Sequence, residues 1–288
     1  MRKKSKNGSG LWQVPVYAVL IFWALTTIYP LFWVATNSFK IKNEILANSF
    51  SMPVGELFTL ANYRRAFERV PILGAYANSL ILSGTVTVVV MTLAGLAAFA
   101  LVRYQFKGRD FLMSVVVGSM MFPAFSTIVP VFRMEASWGL VNTSNRWISL
   151  FSCALPQIAG NLSFAIIVLS GYIRSLPIEL EEAAYMEGCT TFKIFTKIVV
   201  PMAKPSFATV AIFSFLWSYN DLFTQTFFLR IQPQWAITRL LKELTAMEGT
   251  NYGLMAAAVT IVVVPVIIVY VFLQKYIIKG MTAGAIKG

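Results

Sequence analysis

Six stretches of this chain are long, apolar and almost free of charge: about 12–36, 75–102, 111–132, 147–173, 206–229 and 252–274. A helix needs roughly 20 residues to cross the hydrocarbon core of a bilayer, and each stretch reaches that length. In lipid a backbone N–H or C=O finds no water, so a crossing segment must satisfy its own polar groups, as a helix does. A barrel would require short strands of alternating polarity, and these runs do not alternate. With 57% hydrophobic and only 12% charged residues, an ordinary soluble domain is excluded. The expected fold class is therefore all-α and integral to a membrane, with six transmembrane helices over residues 11–274. A basic tail precedes them at 1–10 and another follows at 275–288, with an external loop at 41–74 and an inner loop at 174–205.

Orientation follows from the basic residues. Arg2, Lys3, Lys4 and Lys6 precede the first run, Arg103, Lys107 and Arg109 form a short turn, and Lys193, Lys197, Lys275 and Lys279 fall on the same side if both termini are cytoplasmic. The net charge of +12 then reflects inner loops beside anionic lipid, with no call for nucleic acid. The first run follows a basic tail as a signal peptide would, but it is too long for one and is expected to stay as a helix. Histidine is absent, which removes His-based triads and metal sites. The two cysteines, Cys153 and Cys189, fall in a membrane run and an inner loop, so a disulfide is not expected.

The inner loop 174–205 is the longest charged interruption. It carries Glu179, Glu181, Glu182 and Glu187 out of only 12 acids in the protein. Ser175 is a candidate N-cap, Pro177 suits a first turn, and the acids gather where a helix dipole favours negative charge. Gly188 would end that helix in a left-handed conformation. A second short helix is expected from about Thr190 to Val199, stopping at Pro201. Ala183 and Ala184 form a small-residue patch flanked by Leu180 and Met186, which suit a partner's groove; an ordinary solvated loop is the alternative.

Elsewhere, Asn62–Phe67 reads as a short surface helix. Gly84, Ala94, Gly95 and Ala98 mark the second run as a close-packing helix. Pro123, Pro130, Pro156 and Gly160 are expected to interrupt the third and fourth runs, through simple kinks or beside a path for solute. In the fifth run, Trp217, Tyr219, Asn220 and Asp221 combine aromatic faces with amide and carboxylate groups, the chemistry that holds a sugar. Gln157 and Asn161, one turn apart on the fourth run, would face the same path. If Asp221 instead sits at the outer interface near Arg230, it needs no special role. Arg133, Arg146, Arg230, Arg239 and Lys242 suit either an acidic saccharide or membrane anchoring.

Glu182-Ala183-Ala184, then Gly188, Ile198, Val200 and Pro201, resembles the Glu-Ala-Ala signature of ABC importer permeases. Val200 stands where that signature has Leu, and Glu187 where it often has Asp. Gly280, Thr282, Ala283, Gly284, Lys287 and Gly288 resemble the end of carbohydrate permeases of the maltose-permease type, second of the pair. The resemblance implies a type I importer permease fold in a bacterial inner membrane and transport of a sugar or oligosaccharide. Glu182, Ala183, Ala184, Gly188 and Pro201 would couple to the ATPase, and Thr282, Gly284 and Lys287 would approach it. It further implies two cytoplasmic ATPase subunits, a homologous second permease and an extracytoplasmic binding protein. No phosphate-binding loop occurs in this chain, so ATP and Mg would be bound by those partners, and the chain itself is expected to be non-catalytic, with no cofactor of its own. Permeases for amino acids, peptides or phosphate share the same loop signature. An ion-coupled secondary transporter would place ionisable groups deep in several helices, where Asp221 is nearly alone.

Overall fold

The computed structural model describes residues 9–249 and 251–285. In chain order the helices are α1 (Ser9–Asn37), α2 (Lys42–Ala47), α3 (Ala61–Arg69), α4 (Ile72–Arg103), α5 (Arg109–Ser119), α6 (Ala124–Ser137) and α7 (Arg146–Arg174). They continue with α8 (Glu179–Met186), α9 (Thr191–Ile194), α10 (Val200–Met202), α11 (Lys204–Asn220), α12 (Leu222–Phe228), α13 (Ile237–Glu248) and α14 (Tyr252–Ala285). No strand occurs among the described residues.

All six apolar runs are helical, but not all as single rods. Among the described residues, Gln13–Asn37, Ile72–Arg103 and Arg146–Arg174 are long and apolar enough to cross a membrane, and a fourth crossing results if Thr191–Met202 and Lys204–Asn220, bent by 81°, count as one. The third run is broken between α5 and α6, where Pro123 supplies no N–H and disfavours helical geometry at Phe122. Pro130, Pro156 and Gly160, by contrast, remain inside α6 and α7 without breaking them. The fifth run splits at Asp221. The basic end expected to be a flexible tail from residue 275 continues α14 as far as Ala285. Gly280 and Gly284 cost a helix only about 1 kcal/mol each, and no proline intervenes to stop it.

The chain forms two compact units. One comprises the residues up to Val70 together with Glu243–Val264. Its centre is Asn62 of α3, whose side-chain amide donates to the carbonyls of Ser38 (2.9 Å) and Lys40 (2.8 Å). Phe39 stacks on Phe58, and the Tyr63 and Ser38 hydroxyls meet at 2.7 Å. Gly253 of α14 lies against this turn so closely that a Cβ would stand 2.4 Å from the Lys40 carbonyl oxygen.

The other unit comprises Pro71–Lys242 and the residues from Pro265 onward. Here α4 packs along α7 and α11. Val86, Val90, Ala94 and Ala98 recur every four residues and are buried, so one stripe of α4 faces these neighbours. Gly95 admits the Phe207 ring of α11, which would lie 2.9 Å from a Cβ. At the far end of α4, buried Asn78 donates to the Pro233 and Trp235 carbonyls (3.1 and 2.9 Å) and accepts from Arg146 Nε at 2.6 Å. Asn145 caps α7 by accepting from the Trp147 and Ile148 amides.

Candidate functional site

Two places in the larger unit bring chemistry-bearing residues together. The first is the knuckle formed by α8 and α9. Glu179, Glu181 and Glu182 occupy the first turn of α8, as expected from the helix dipole. Ser175 does not start this helix. It ends α7, its hydroxyl donating to the Tyr172 carbonyl, because three residues that include Pro177 separate it from Glu179. At the other end Gly188 takes φ +77°, and the amides of Gly188 and Cys189 donate to the carbonyls of Tyr185 and Ala184, both at 3.0 Å. This double bond pattern closes a helix onto a left-handed glycine.

Beyond Thr190, which caps α9 through the Lys193 amide, the backbone widens into a π turn over Phe195–Val199. That widening carries the chain past Pro201, and the sharp bend falls at Ala203 rather than at the proline. Glu182 and Ala183 are exposed, Ala184 is half-buried, Pro201 is exposed, and Glu181 is the residue turned inward. Leu180, Met186 and Phe192 are exposed, Met186 by 88%. A charged loop thus presents an apolar outer face.

Glu181 meets Arg103, the last residue of α4: Arg103 Nε donates to Oε1 at 2.8 Å and Nη2 to the Leu176 carbonyl at 3.1 Å. Beside them the Tyr104 and Tyr185 hydroxyls lie 2.8 Å apart, with Thr191 Oγ1 at 3.0 Å from Tyr185. The Thr191 hydroxyl draws the Tyr104 phenol down, while Tyr185, burial and the Glu181 carboxylate push it up, and the net displacement is upward. Sequence reading placed Arg103 in a short basic inner turn and did not pair it; the two partners lie 78 residues apart.

The second place is a cavity of about 560 Å³ lined by residues of α6, α7, α11 and α12, among them Phe125, Gln157, Asn161, Trp217, Asp221 and Phe223. It shares Pro156, Gly160, Trp217 and Thr224 with a neighbouring cavity of about 340 Å³. Asp221 ends α11 and caps α12, Oδ1 accepting from the Thr224 amide at 3.0 Å. Its Oδ2 accepts from Gln157 Nε2 at 3.0 Å, and Gln157 Oε1 accepts from the Ser218 hydroxyl at 2.6 Å. Gln225, fully buried, extends the network by donating to the Ser218 carbonyl and accepting from the Thr238 hydroxyl. Asn161 donates to the Gln157 carbonyl, and its Oδ1 is buried without a partner.

Trp217 is wedged against Phe164 (4.9 Å between centroids). Tyr219 and Asn220 do not line the cavity. Tyr219 is buried and stacks on Phe215, and Asn220 bonds back to the Leu216 carbonyl. A cavity with aromatic walls and convergent amide and carboxylate groups suits a polyhydroxylated solute. Sequence reading missed Ser218, Thr224 and Gln225 as site residues; the one-turn spacing of Asp221 and Gln225 was the available signal. Of the C-terminal positions, Thr282 and Gly284 belong to α14, and Lys287 lies outside the described residues.

The chain is 32% identical over 273 residues to the diacetylchitobiose uptake system permease protein NgcG of Streptomyces coelicolor, covering 94% of this chain and 88% of that one. It is 31% identical over 260 residues to the melibiose/raffinose/stachyose import permease protein MelC of Bacillus subtilis, covering 90% and 91%. Its fold superposes with TM-score 0.78 on a bacterial ABC transporter involved in the import of the acidic polysaccharide alginate, at 23% identity, over 96% of this chain and 99% of that one. Residues 90–283 match the model of the binding-protein-dependent transport system inner membrane components, and the chain belongs to that family.

Proposed function

We propose that this chain is a transmembrane subunit of an ATP-driven ABC importer that moves a sugar or oligosaccharide delivered by an external binding protein. The observation that carries the reading is the family match together with relatives whose names describe uptake of oligosaccharides. The aromatic-walled cavity beside α7 and α11, with the Gln157, Asn161 and Asp221 groups in its lining, supports it. On this reading the chain crosses the inner membrane six times, with broken helices making up the third and fifth crossings, and both termini are cytoplasmic. Non-helical backbone at membrane depth, such as Met120–Pro123 and Asp221, is tolerated where it lines a cavity.

A second, homologous permease stands beside it and two ATPase subunits lie below. They bind ATP and Mg, and this chain does no covalent chemistry. The exposed face of α8, with Glu182, Ala183 and Ala184 flanked by Leu180 and Met186, docks on an ATPase subunit, and Thr282, Gly284 and Lys287 approach it from the C-terminal end. Closure of the ATPases displaces α8 and rocks the bundle between inward-open and outward-open states. Solute passes Gln157, Asn161, Trp217 and Asp221: the ring walls take its apolar faces, and the amide and carboxylate groups take its hydroxyls.

The test is ATP hydrolysis by the purified four-subunit complex with its binding protein, titrated with neutral and uronic oligosaccharides, amino acids and peptides. Stimulation by one saccharide class is expected and names it. A response to amino acids or peptides alone overturns the carbohydrate assignment. Uptake that persists without ATPase subunits overturns the importer mechanism.

A further inference from the structure

We infer that Arg103 is the positioning residue that makes α8 move as one body with α4, so that displacement of the knuckle reaches the helices around the cavity; this rests on reading the outer face of α8 as the ATPase contact. The eight residues of α8 are too few to hold a helix by themselves, so tertiary contacts must hold it. Apolar packing supplies little of that hold. Leu180, Tyr185 and Met186 are exposed, and Glu181, at 5% exposure, is the one buried residue of the helix. The inward anchor of the knuckle is therefore a carboxylate, and its partner is the terminal guanidinium of α4.

The geometry of that anchor is rigid. Arg103 spans the knuckle's entry, gripping the Leu176 carbonyl ahead of α8 and the Glu181 side chain within its first turn. A planar guanidinium bonded at two points resists both sliding and rotation, as a single lysine contact does not. The nearby hydroxyl cluster of Tyr104, Tyr185 and Thr191 is exposed and holds less firmly. From Arg103 the path continues along α4, whose buried stripe packs on α7 and α11, the helices that carry Gln157 and Trp217. Removing either partner leaves a buried charge unpaired and frees α8 to pivot about its flanking turns.

The experiment uses the complete complex in nanodiscs, in a Cys189→Ser background, with a photo-crosslinker replacing Met186 and an environment-sensitive fluorophore on Leu93→Cys, an exposed position of α4. The probe is MgATP with vanadate. In the parent, the knuckle crosslinks to an ATPase subunit and the fluorophore responds to trapping. Arg103→Ala is expected to crosslink to the same extent while the response falls about tenfold. The exchange Arg103→Glu with Glu181→Arg is expected to restore part of it, the ion pair without the bond to the Leu176 carbonyl, a rescue that a general packing role would not give. Glu181→Gln reads the same contact if Arg103→Ala fails to assemble, and is expected to lose the response likewise. An undiminished response in Arg103→Ala or Glu181→Gln with crosslinking intact overturns the inference and leaves the α8 contact standing. Absence of crosslinking in the parent overturns both.

Discussion

Replacing Gly188 isolates one physical term at the end of α8. Its φ of +77° lies in the left-handed region, and a Cβ built there meets nothing within 4 Å. A methyl group therefore has room, and the cost of Gly188→Ala is backbone strain alone, about 1–2 kcal/mol for an L-residue in this conformation. Gly188→Ala should spend that strain by opening the turn, which breaks the two 3.0 Å bonds from Gly188 and Cys189 to Tyr185 and Ala184. Since 1.4 kcal/mol is tenfold in an equilibrium constant, a strain of about 1–2 kcal/mol should quicken amide exchange in a peptide covering this turn about five- to thirtyfold, read by mass spectrometry on the intact complex. Gly188→Leu should quicken exchange in this turn to the same extent as Gly188→Ala, because the backbone strain is the same for both. Gly188→Asn should cost less than either, since asparagine visits the left-handed region readily. On the proposed reading, transport per ATP falls in the same order. A penalty that grows with side-chain volume, or an asparagine variant no better than alanine, would refute the strain argument.

Three further outcomes follow from the packing. Gly253→Ala pushes a methyl to 2.4 Å from the Lys40 carbonyl and 2.7 Å from the Asn62 amide, so it should lower the thermal midpoint in detergent through an overpacking cost of about 1–3 kcal/mol. Asn78→Leu keeps the branched shape but strands two carbonyls and the Arg146 guanidinium, a loss of about 3 kcal/mol visible as reduced yield and a lower unfolding temperature. Gln157→Leu cuts the link between Ser218 and Asp221 but leaves the Thr224 cap in place; it should weaken solute stimulation of ATP hydrolysis several-fold while basal hydrolysis persists.

Most of what was legible in the residue order is local. Apolar runs longer than a bilayer's thickness had to become helices, because inside lipid the only bonding partners a backbone can count on are its own neighbours. The glycine that ends α8, the acids in its first turn and the short helix at Asn62 follow equally from interactions within one or two turns, whereas the burial of Asn62 does not. Tertiary structure decided what depends on distant partners. Helical spacing places Gln157 and Asn161 on one face but says nothing of what that face meets, and the bond from Gln157 to Asp221 joins residues 64 apart. Asp221, read as an acid within a helix, became the junction of two, held by that glutamine and by the Thr224 amide.

The knuckle shows the division most sharply. Four glutamates mark it as polar, and no rule of propensity distinguishes Glu181 from Glu182. Only the arrival of Arg103 at the end of α4 turns one carboxylate inward and leaves the other in water. In the third run the break was legible, since Pro123 is expected to interrupt it and does divide it into α5 and α6; that residues of both helices then line a cavity depends on packing. Sequence determined which segments are helical because that is settled by each segment's own backbone. Structure determined which side chains form the sites, because that depends on how helices remote in sequence lie against one another.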